Sequence, residues 1–285
     1  MAIAASARPA ILPLQIPTSP TEPMTAEPAA LDLAVSMLGA GPPVVVLHGL
    51  LGRARNWLSV ARVLEPSYAV HLADLRNHGG SPWSAEMSYD AMARDVAALI
   101  ERAAAGPVRL VGHSMGGKVA MALALTRPEL VERLVVVDIA PIRYAQGYED
   151  FINAMQALDL GSLRRRGDAD PALAAAVPDA AMRGFLLQNL STVDGRLAWQ
   201  PNLDVLLTAM PEISGFPTAL DRLAYTGPAW CLRGATSTYV DAAGEAALRR
   251  LFPAIQIESV PGAGHWPHAE RQAAFLSLLE PALAG

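Results

Sequence analysis

The sequence predicts an α/β fold: a mostly parallel sheet with helices on both faces and a helical insertion. Short apolar or β-branched runs alternate with stretches of helical hydrophobic spacing, which is the pattern of parallel β-α units. The alternation lapses once, over residues 141–227, where helical spacing alone recurs. With 285 residues, of which 52% are hydrophobic and 17% charged, the chain is long and apolar enough to bury a large core.

Seven apolar runs predict the strands of this sheet. The first run alternates Leu31, Leu33, Val35 and Met37 on one side, as a half-buried edge strand would. The predicted strands are residues 31–38, 44–48, 68–73, 108–112, 134–139, 229–232 and 255–260.

Four stretches with apolar residues at helical spacing predict the helices that connect these strands: residues 56–64, 88–104, 114–126 and 267–283. Ser88 is placed to cap the second of them. The strands and helices define a core of residues 29–140 and 228–285, and residues 141–227 form a helical cap. Residues 1–28 hold six prolines and predict a flexible leader outside the fold.

Composition argues against several classes of protein. A net charge of -5 leaves no basic surface for a nucleic acid backbone. The single cysteine, Cys231, excludes an internal disulfide and a Cys-rich metal site. No run reaches the roughly 18 apolar residues that a membrane span needs, so we expect no membrane span and a cytoplasmic protein. The sequence sets no oligomeric state.

The strongest chemical signal is the motif GHSMG at residues 112–116, which lies between a predicted strand and a predicted helix. A sharp strand-to-helix turn exposes the serine hydroxyl, and glycines flank it because side chains there would collide with the strand and the helix. The helix N-terminus favours negative charge beside the serine. This pattern predicts Ser114 as a nucleophile.

The motif HGLLG at residues 48–52 follows another strand and predicts an oxyanion hole. A tetrahedral intermediate places negative charge on the former carbonyl oxygen, and each preorganised donor to it is worth about 10² to 10³ in rate. The backbone N–H groups of Leu50 and Met115 are the predicted donors, and Leu51 is an alternative to Leu50.

Of six histidines, His265 is the predicted general base. Its motif GAGHW follows the last strand, so it lies at the carboxyl edge of the sheet with Ser114. His268 is the competitor, three residues further along the chain. The other four histidines lie in a strand or in turns, where a structural role is expected.

Five motifs together resemble the YbfF-type bacterial esterases: HGLLG at 48–52, DLRNHGGS at 74–81, GHSMGGK at 112–118, VDIAP at 137–141 and GAGHWPH at 262–268. The resemblance implies an α/β-hydrolase fold with a helical cap. It also implies a serine carboxylesterase that needs no cofactor or metal and acts on short-to-medium acyl esters or thioesters, so a small-molecule ester is the expected partner.

The same resemblance bears on the triad acid. In most α/β-hydrolases the acid follows the strand that corresponds to residues 229–232, but this chain has Ser237 at that position. Asp138, in the VDIAP motif, is the favoured acid. Asp241 is the alternative, and its other interpretation is the cap of the next helix.

An apolar cap over the site suits an uncharged ester. The predicted substrate pocket is formed by Leu51, Met155, Leu158, Phe185, Met210 and Trp266. Two further functions stay open: another serine α/β-hydrolase chemistry, such as C–C bond hydrolysis or perhydrolysis, and a non-catalytic ligand-binding relative.

Overall fold

A computed structural model describes residues 29–104, 106–145 and 147–284. The predicted leader, residues 1–28, lies outside the described residues. The strands are β1 Val35–Leu38, β2 Pro43–Leu47, β3 Ala69–Ala73, β4 Val108–His113, β5 Val131–Val137, β6 Leu190–Val193, β7 Arg196–Trp199, β8 Ala229–Gly234 and β9 Ile255–Val260.

Seven of these strands form one sheet in the order β1-β3-β2-β4-β5-β8-β9. β1 is antiparallel to β3, and every other neighbouring pair is parallel. The predicted fold class is therefore confirmed. The predicted first strand is shorter than expected, because only its last four residues pair with β3.

The α-helices are α1 Leu58–Leu64, α2 Tyr89–Ala103, α3 Met115–Thr126, α4 Glu149–Ala157, α5 Ala169–Leu173, α6 Ala180–Leu187, α7 Leu203–Ile213, α8 Ala242–Leu251, α9 Pro267–Glu270 and α10 Gln272–Leu283. Ser88 caps α2 as predicted, because its side chain accepts a hydrogen bond from the backbone N–H of Ala91. None of the helices in the described part of the chain is long and apolar enough to cross a membrane.

Both faces of the sheet are covered. Side chains of a strand alternate between its two faces, and in β2 Val45 and Leu47 belong to one apolar cluster while Val44 and Val46 belong to another. The first cluster includes residues of α2, α3 and α8, and the second includes residues of α1 and α10. Parallel strands buried on both faces read as continuous apolar runs, which is why these strands were predictable.

The insertion, residues 141–227, leaves the sheet after β5 and returns before β8. It contains α4 to α7, but also a hairpin of β6 and β7, so the prediction that it is wholly helical is wrong. Asp194 and Gly195 both have positive φ, 49° and 78°, at the two-residue turn of this hairpin. An Asp-Gly pair is a strong hairpin signal, and it was overlooked because its flanking strands have only four residues each.

Candidate active site

Ser114 lies in a strained turn between β4 and α3, with φ 52° and ψ −121°. The turn brings the strand and the helix so close that glycine is required on either side. A Cβ on Gly112 would lie 2.2 Å from the carbonyl oxygen of Gly116, and a Cβ on Gly116 would lie 2.4 Å from that of His48. In the folded chain, residues 112 and 116 therefore have no room for a side chain, as the motif predicts.

The structure brings three of the predicted residues into one hydrogen-bonded row. His265 Nε2 lies 3.1 Å from Ser114 Oγ, and His265 Nδ1 lies 2.8 Å from Asp138 Oδ2. An ionised carboxylate only accepts hydrogen bonds, so Nδ1 carries the proton and Nε2 is free to accept from the serine hydroxyl. This tautomer is the one that a general base needs.

Asp138 is fully buried at the end of β5, where its φ is 50°. Its carboxylate accepts hydrogen bonds from the backbone N–H of Gly234 at 2.8 Å and from the hydroxyl of Ser237. Ser237, at the position that carries the acid in most α/β-hydrolases, therefore supports Asp138. Asp241 caps α8 by accepting from the N–H of Gly244, and the structure does not bring it to His265.

Two neighbours hold His265: Tyr239, which the sequence did not indicate, and His113, for which a structural role was expected. The ring of Tyr239 stacks on the imidazole of His265, with centroids 3.7 Å apart and planes 14° apart. His113 Nε2 donates to the backbone carbonyl of His265 at 2.7 Å. Burial lowers the pKa of His113 well below its usual value, so this histidine is neutral and acts as a fixed donor. Tyr239 lies in an irregular loop, where no periodic pattern marks it.

His268, the alternative base, lies in a different environment. Its ring stacks on Trp57 with centroids 4.1 Å apart, and burial lowers its pKa to about 3. Ser114 is hydrogen-bonded to His265 instead.

The loop after β2 presents the predicted oxyanion donors. The N–H groups of Leu50 and Met115 donate to no acceptor among the described residues, so both are available to a ligand. Leu51 has a positive φ of 56°, and its N–H donates to His78 Nε2 at 3.2 Å. The amide of the alternative, Leu51, is therefore already occupied.

Two buried, neutral histidines stabilise this loop. His48 Nδ1 donates to the carbonyl of Gly49 at 2.8 Å, and His48 Nε2 accepts from the N–H of Leu75 at 3.0 Å. The Gly49 carbonyl belongs to the same peptide group as the Leu50 N–H, so His48 helps to fix the direction of that N–H. Burial lowers the pKa of His48, and it lowers that of His78 to about 3.

The insertion also holds this loop. Asn189 Nδ2 donates to the carbonyl of Leu51 at 2.6 Å, in a fully buried contact. Arg53 Nη1 donates to the carbonyl of Gln188 at 3.2 Å and to the side chain of Gln200. None of these contacts is predictable from the sequence, because single polar residues in a loop follow no pattern.

Cavities lie on two sides of Ser114. A groove of about 1270 Å³ is lined by Phe185 and Trp266, and a narrow space of about 20 Å³ that shares both side chains connects to Ser114. On the other side, a cavity of about 50 Å³ is lined by Ser114, Met210 and Lys118.

The six predicted pocket residues therefore divide equally. Phe185, Met210 and Trp266 line these cavities. Leu51, Met155 and Leu158 are not among the described residues that line them. Leu51 and Met155 are fully buried in the main apolar cluster, and Leu158 packs on a smaller one. Apolar residues of the insertion must also bury one another, and the sequence does not separate that role from substrate contact.

Comparison with known proteins gives consistent results. A family model described as the alpha/beta hydrolase fold matches residues 42–272. The chain is 43% identical over 251 residues to the sn-1-specific diacylglycerol lipase ABHD11 of Mus musculus. The match covers 85% of this chain and 81% of that protein. The chain is also 33% identical to the esterase YbfF of Escherichia coli. That match covers 82% of this chain and 90% of the esterase.

A solved structure described as a marine microorganism esterase is similar over almost the whole described fold. Its TM-score is 0.86 at 33% identity, and the match covers 89% of this chain and 100% of the other. The similarity therefore includes the insertion as well as the sheet.

Proposed function

The chain belongs to the α/β-hydrolase family, among its esterases and lipases, and from this premise we propose that it hydrolyses carboxylic esters by a Ser-His-Asp acyl-enzyme mechanism. The observation that carries the proposal is the hydrogen-bonded row in which His265 bridges Ser114 at 3.1 Å and Asp138 at 2.8 Å. A ligand-binding protein without catalysis has no need of a serine activated in this way.

In the first half of the reaction, His265 accepts the proton of Ser114 while the serine oxygen attacks the ester carbonyl. Asp138 holds the imidazole in the reactive tautomer and stabilises the imidazolium that forms. The imidazolium then protonates the alcohol, which leaves. In the second half, His265 activates water, which releases the acid from Ser114.

The negative charge on the former carbonyl oxygen is held by the N–H groups of Leu50 and Met115. Support comes from the fixed position of both donors: Met115 is the first residue of α3, and the Leu50 loop is bonded to His48, His78 and Asn189. Donors that are already oriented stabilise a transition state without reorganisation.

The two sides of Ser114 suit the two halves of an ester. The alcohol leaves first and needs a path to solvent, which the groove of about 1270 Å³ supplies. The acyl group stays bound to Ser114 until water attacks, and the cavity of about 50 Å³ suits a short one. Residues 141–227 act as a cap in this proposal, because they contribute walls to both spaces.

A panel of p-nitrophenyl esters from acetate to decanoate tests the proposal. We expect turnover on short and medium chains, and a loss of about 10⁵-fold or more in kcat for Ser114→Ala, because the nucleophile is removed. If the unchanged protein hydrolyses none of these esters faster than Ser114→Ala does, the proposed function is wrong.

A further inference from the structure

Lys118 is the only lysine among the 22 lysine and arginine residues of the chain. The other 21 are arginines. An ammonium is a compact charge with three donors, whereas a guanidinium is a large planar group. Lys118 lies on α3, one helical turn beyond Ser114. Its backbone N–H donates to the Ser114 carbonyl.

The ammonium of Lys118 is buried, with 2% of the residue exposed. It donates to the backbone carbonyls of Ser214 and Gly215, and it lies 4.7 Å from the ring centre of Tyr144. These partners are neutral. The charged group that acts on it is Arg143, which has the same sign, and burial together with Arg143 lowers the pKa of Lys118 to about 7. The described contacts therefore leave this cation without a counter-ion.

Lys118 lines the same cavity of about 50 Å³ as Ser114 and the two oxyanion donors. Two of the other polar side chains there are engaged: Tyr89 donates to the Ile213 carbonyl, and Tyr144 donates to the Tyr239 carbonyl. A few placed polar groups in an otherwise apolar wall are what orient a ligand. Among the described residues that line this cavity, Lys118 is the only one with a charged side chain.

We propose that Lys118 binds a carboxylate at the far end of the acyl group, so that the preferred substrates are monoesters of short dicarboxylic acids. This inference rests on the proposed ester hydrolysis. A cavity of about 50 Å³ holds about four water-sized groups, which matches an acyl arm of two methylenes and a carboxylate. Water adds across the ester bond to give the alcohol and a dicarboxylate, and the terminal carboxylate is unchanged by the reaction.

The carboxylate supplies the counter-ion that the fold omits. An ion pair formed in a buried cavity is strong when both charges are satisfied, and an unpaired buried charge is costly. A neutral acyl group of the same shape offers no counter-ion, so the Lys118 side chain stays either unpaired or uncharged and gains no ion pair. Lys118 thus selects acyl groups by their charge, and the apolar walls of the cavity select them by their length.

The test compares two pairs of matched esters. Monomethyl succinate is compared with methyl 4-methylpentanoate, in which methyl groups replace the carboxylate oxygens. Acetoxyacetate and isobutyl acetate form the second pair, with the carboxylate on the alcohol side. We expect kcat/KM to favour monomethyl succinate in the first pair and not to favour the anion in the second.

Lys118→Met should lower the ratio of kcat/KM values within the first pair by about 30-fold or more, because it removes the charge and keeps the length of the side chain. This ratio does not depend on how much of the variant is folded, because both kcat/KM values scale with the same concentration of folded protein. An unchanged ratio overturns the proposal and leaves Lys118 as an anchor for Ser214 and Gly215. A preference for the anion in the second pair also overturns it.

A binding measurement covers the case in which Lys118→Met does not fold. Because the chain has one lysine, full-length protein labelled with ¹⁵N at the lysine side chain gives a single ammonium signal. We expect succinate to shift this signal saturably and the neutral 4-methylpentanamide to leave it in place. A signal that succinate does not move overturns the inference. If esters are not hydrolysed at all, this measurement still decides whether Lys118 binds a carboxylate, separately from the proposed function.

Discussion

Ser114 and Asp138 are held by the backbone, whereas Asn189 reaches the same site from the insertion by one side-chain hydrogen bond. Both catalytic candidates follow neighbouring strands and have positive φ, at 52° and 50°. Such strain costs about 1 to 3 kcal/mol per residue and persists where the surroundings leave no alternative. Asn189 depends on a contact of 2.6 Å to the carbonyl of Leu51. The sheet thus fixes the backbone of Ser114 and Asp138, and the insertion contacts the loop that carries the Leu50 N–H.

The comparison predicts that the largest effects come from residues at the strand ends. Asp138→Asn should lower kcat by about 10⁴-fold while the protein stays folded, because the amide presents the wrong hydrogen-bonding pattern to His265. The matched control is Asp241→Asn, which alters only a helix cap. Ester hydrolysis and circular dichroism of both variants provide the check. Equal activity of the two variants would remove Asp138 from the mechanism.

A smaller effect is expected from the insertion. Asn189→Ala frees the Leu51 carbonyl and loosens the loop that carries the Leu50 N–H, so we expect kcat to fall by about 10-fold, less than for loss of an oxyanion donor itself. KM should change little. The affinity for a boronic acid that occupies the oxyanion hole should fall by a similar factor.

The control for Asn189 is Tyr225→Phe, which removes a buried hydrogen bond of 3.0 Å from the insertion to the Val131 carbonyl, at the opposite end of β5 from Asp138. If both variants lower kcat equally, or if Asn189→Ala changes KM alone, the insertion acts only through its stability.

The smallest effect on activity is expected at His268, which matters for stability. Its pKa is lowered to about 3 in the folded chain, while an unfolded chain has the ordinary value of 6.5. Between pH 3 and pH 6.5 the unfolded chain therefore binds one more proton at His268 than the folded chain does. The contribution of neutral His268 to the stability of the folded chain is complete above pH 6.5 and is lost as pH falls towards 3.

The measurement is urea unfolding of the unchanged protein and of His268→Phe from pH 7 to pH 4. Phe keeps the stacking on Trp57 and cannot take up a proton. The free energy of unfolding of the unchanged protein, relative to the variant, should fall by about 1.4 kcal/mol per pH unit below pH 6.5. A difference that does not vary with pH would show that His268 titrates alike in both states.

The sequence allowed the fold and the proximity of Ser114, His265 and Asp138 to be predicted because both leave steric or periodic traces. Buried parallel strands are continuous apolar runs, and the turn at Ser114 tolerates only glycine at residues 112 and 116. The insertion leaves weaker traces. Met155 is at helical spacing whether it meets substrate or other side chains, and it proves to be fully buried in the main cluster.

Polar contacts that bridge distant segments leave no local trace. Asn189 and Leu51 are 138 residues apart, and Tyr239 is stacked on His265 from a separate loop. Their roles follow from the shape of the folded chain, which is why neither appeared among the predicted site residues.

The pairing of Ser237 with Asp138 has a consequence for how related genes are classified. β5 and β8 are adjacent and parallel, so their carboxyl ends offer two neighbouring places from which a carboxylate can reach the same histidine. A profile that demands the acid at one fixed alignment column would score this chain as an inactive homologue. A criterion based on the folded chain, which asks whether a carboxylate at either strand end lies beside the histidine, would retain this chain.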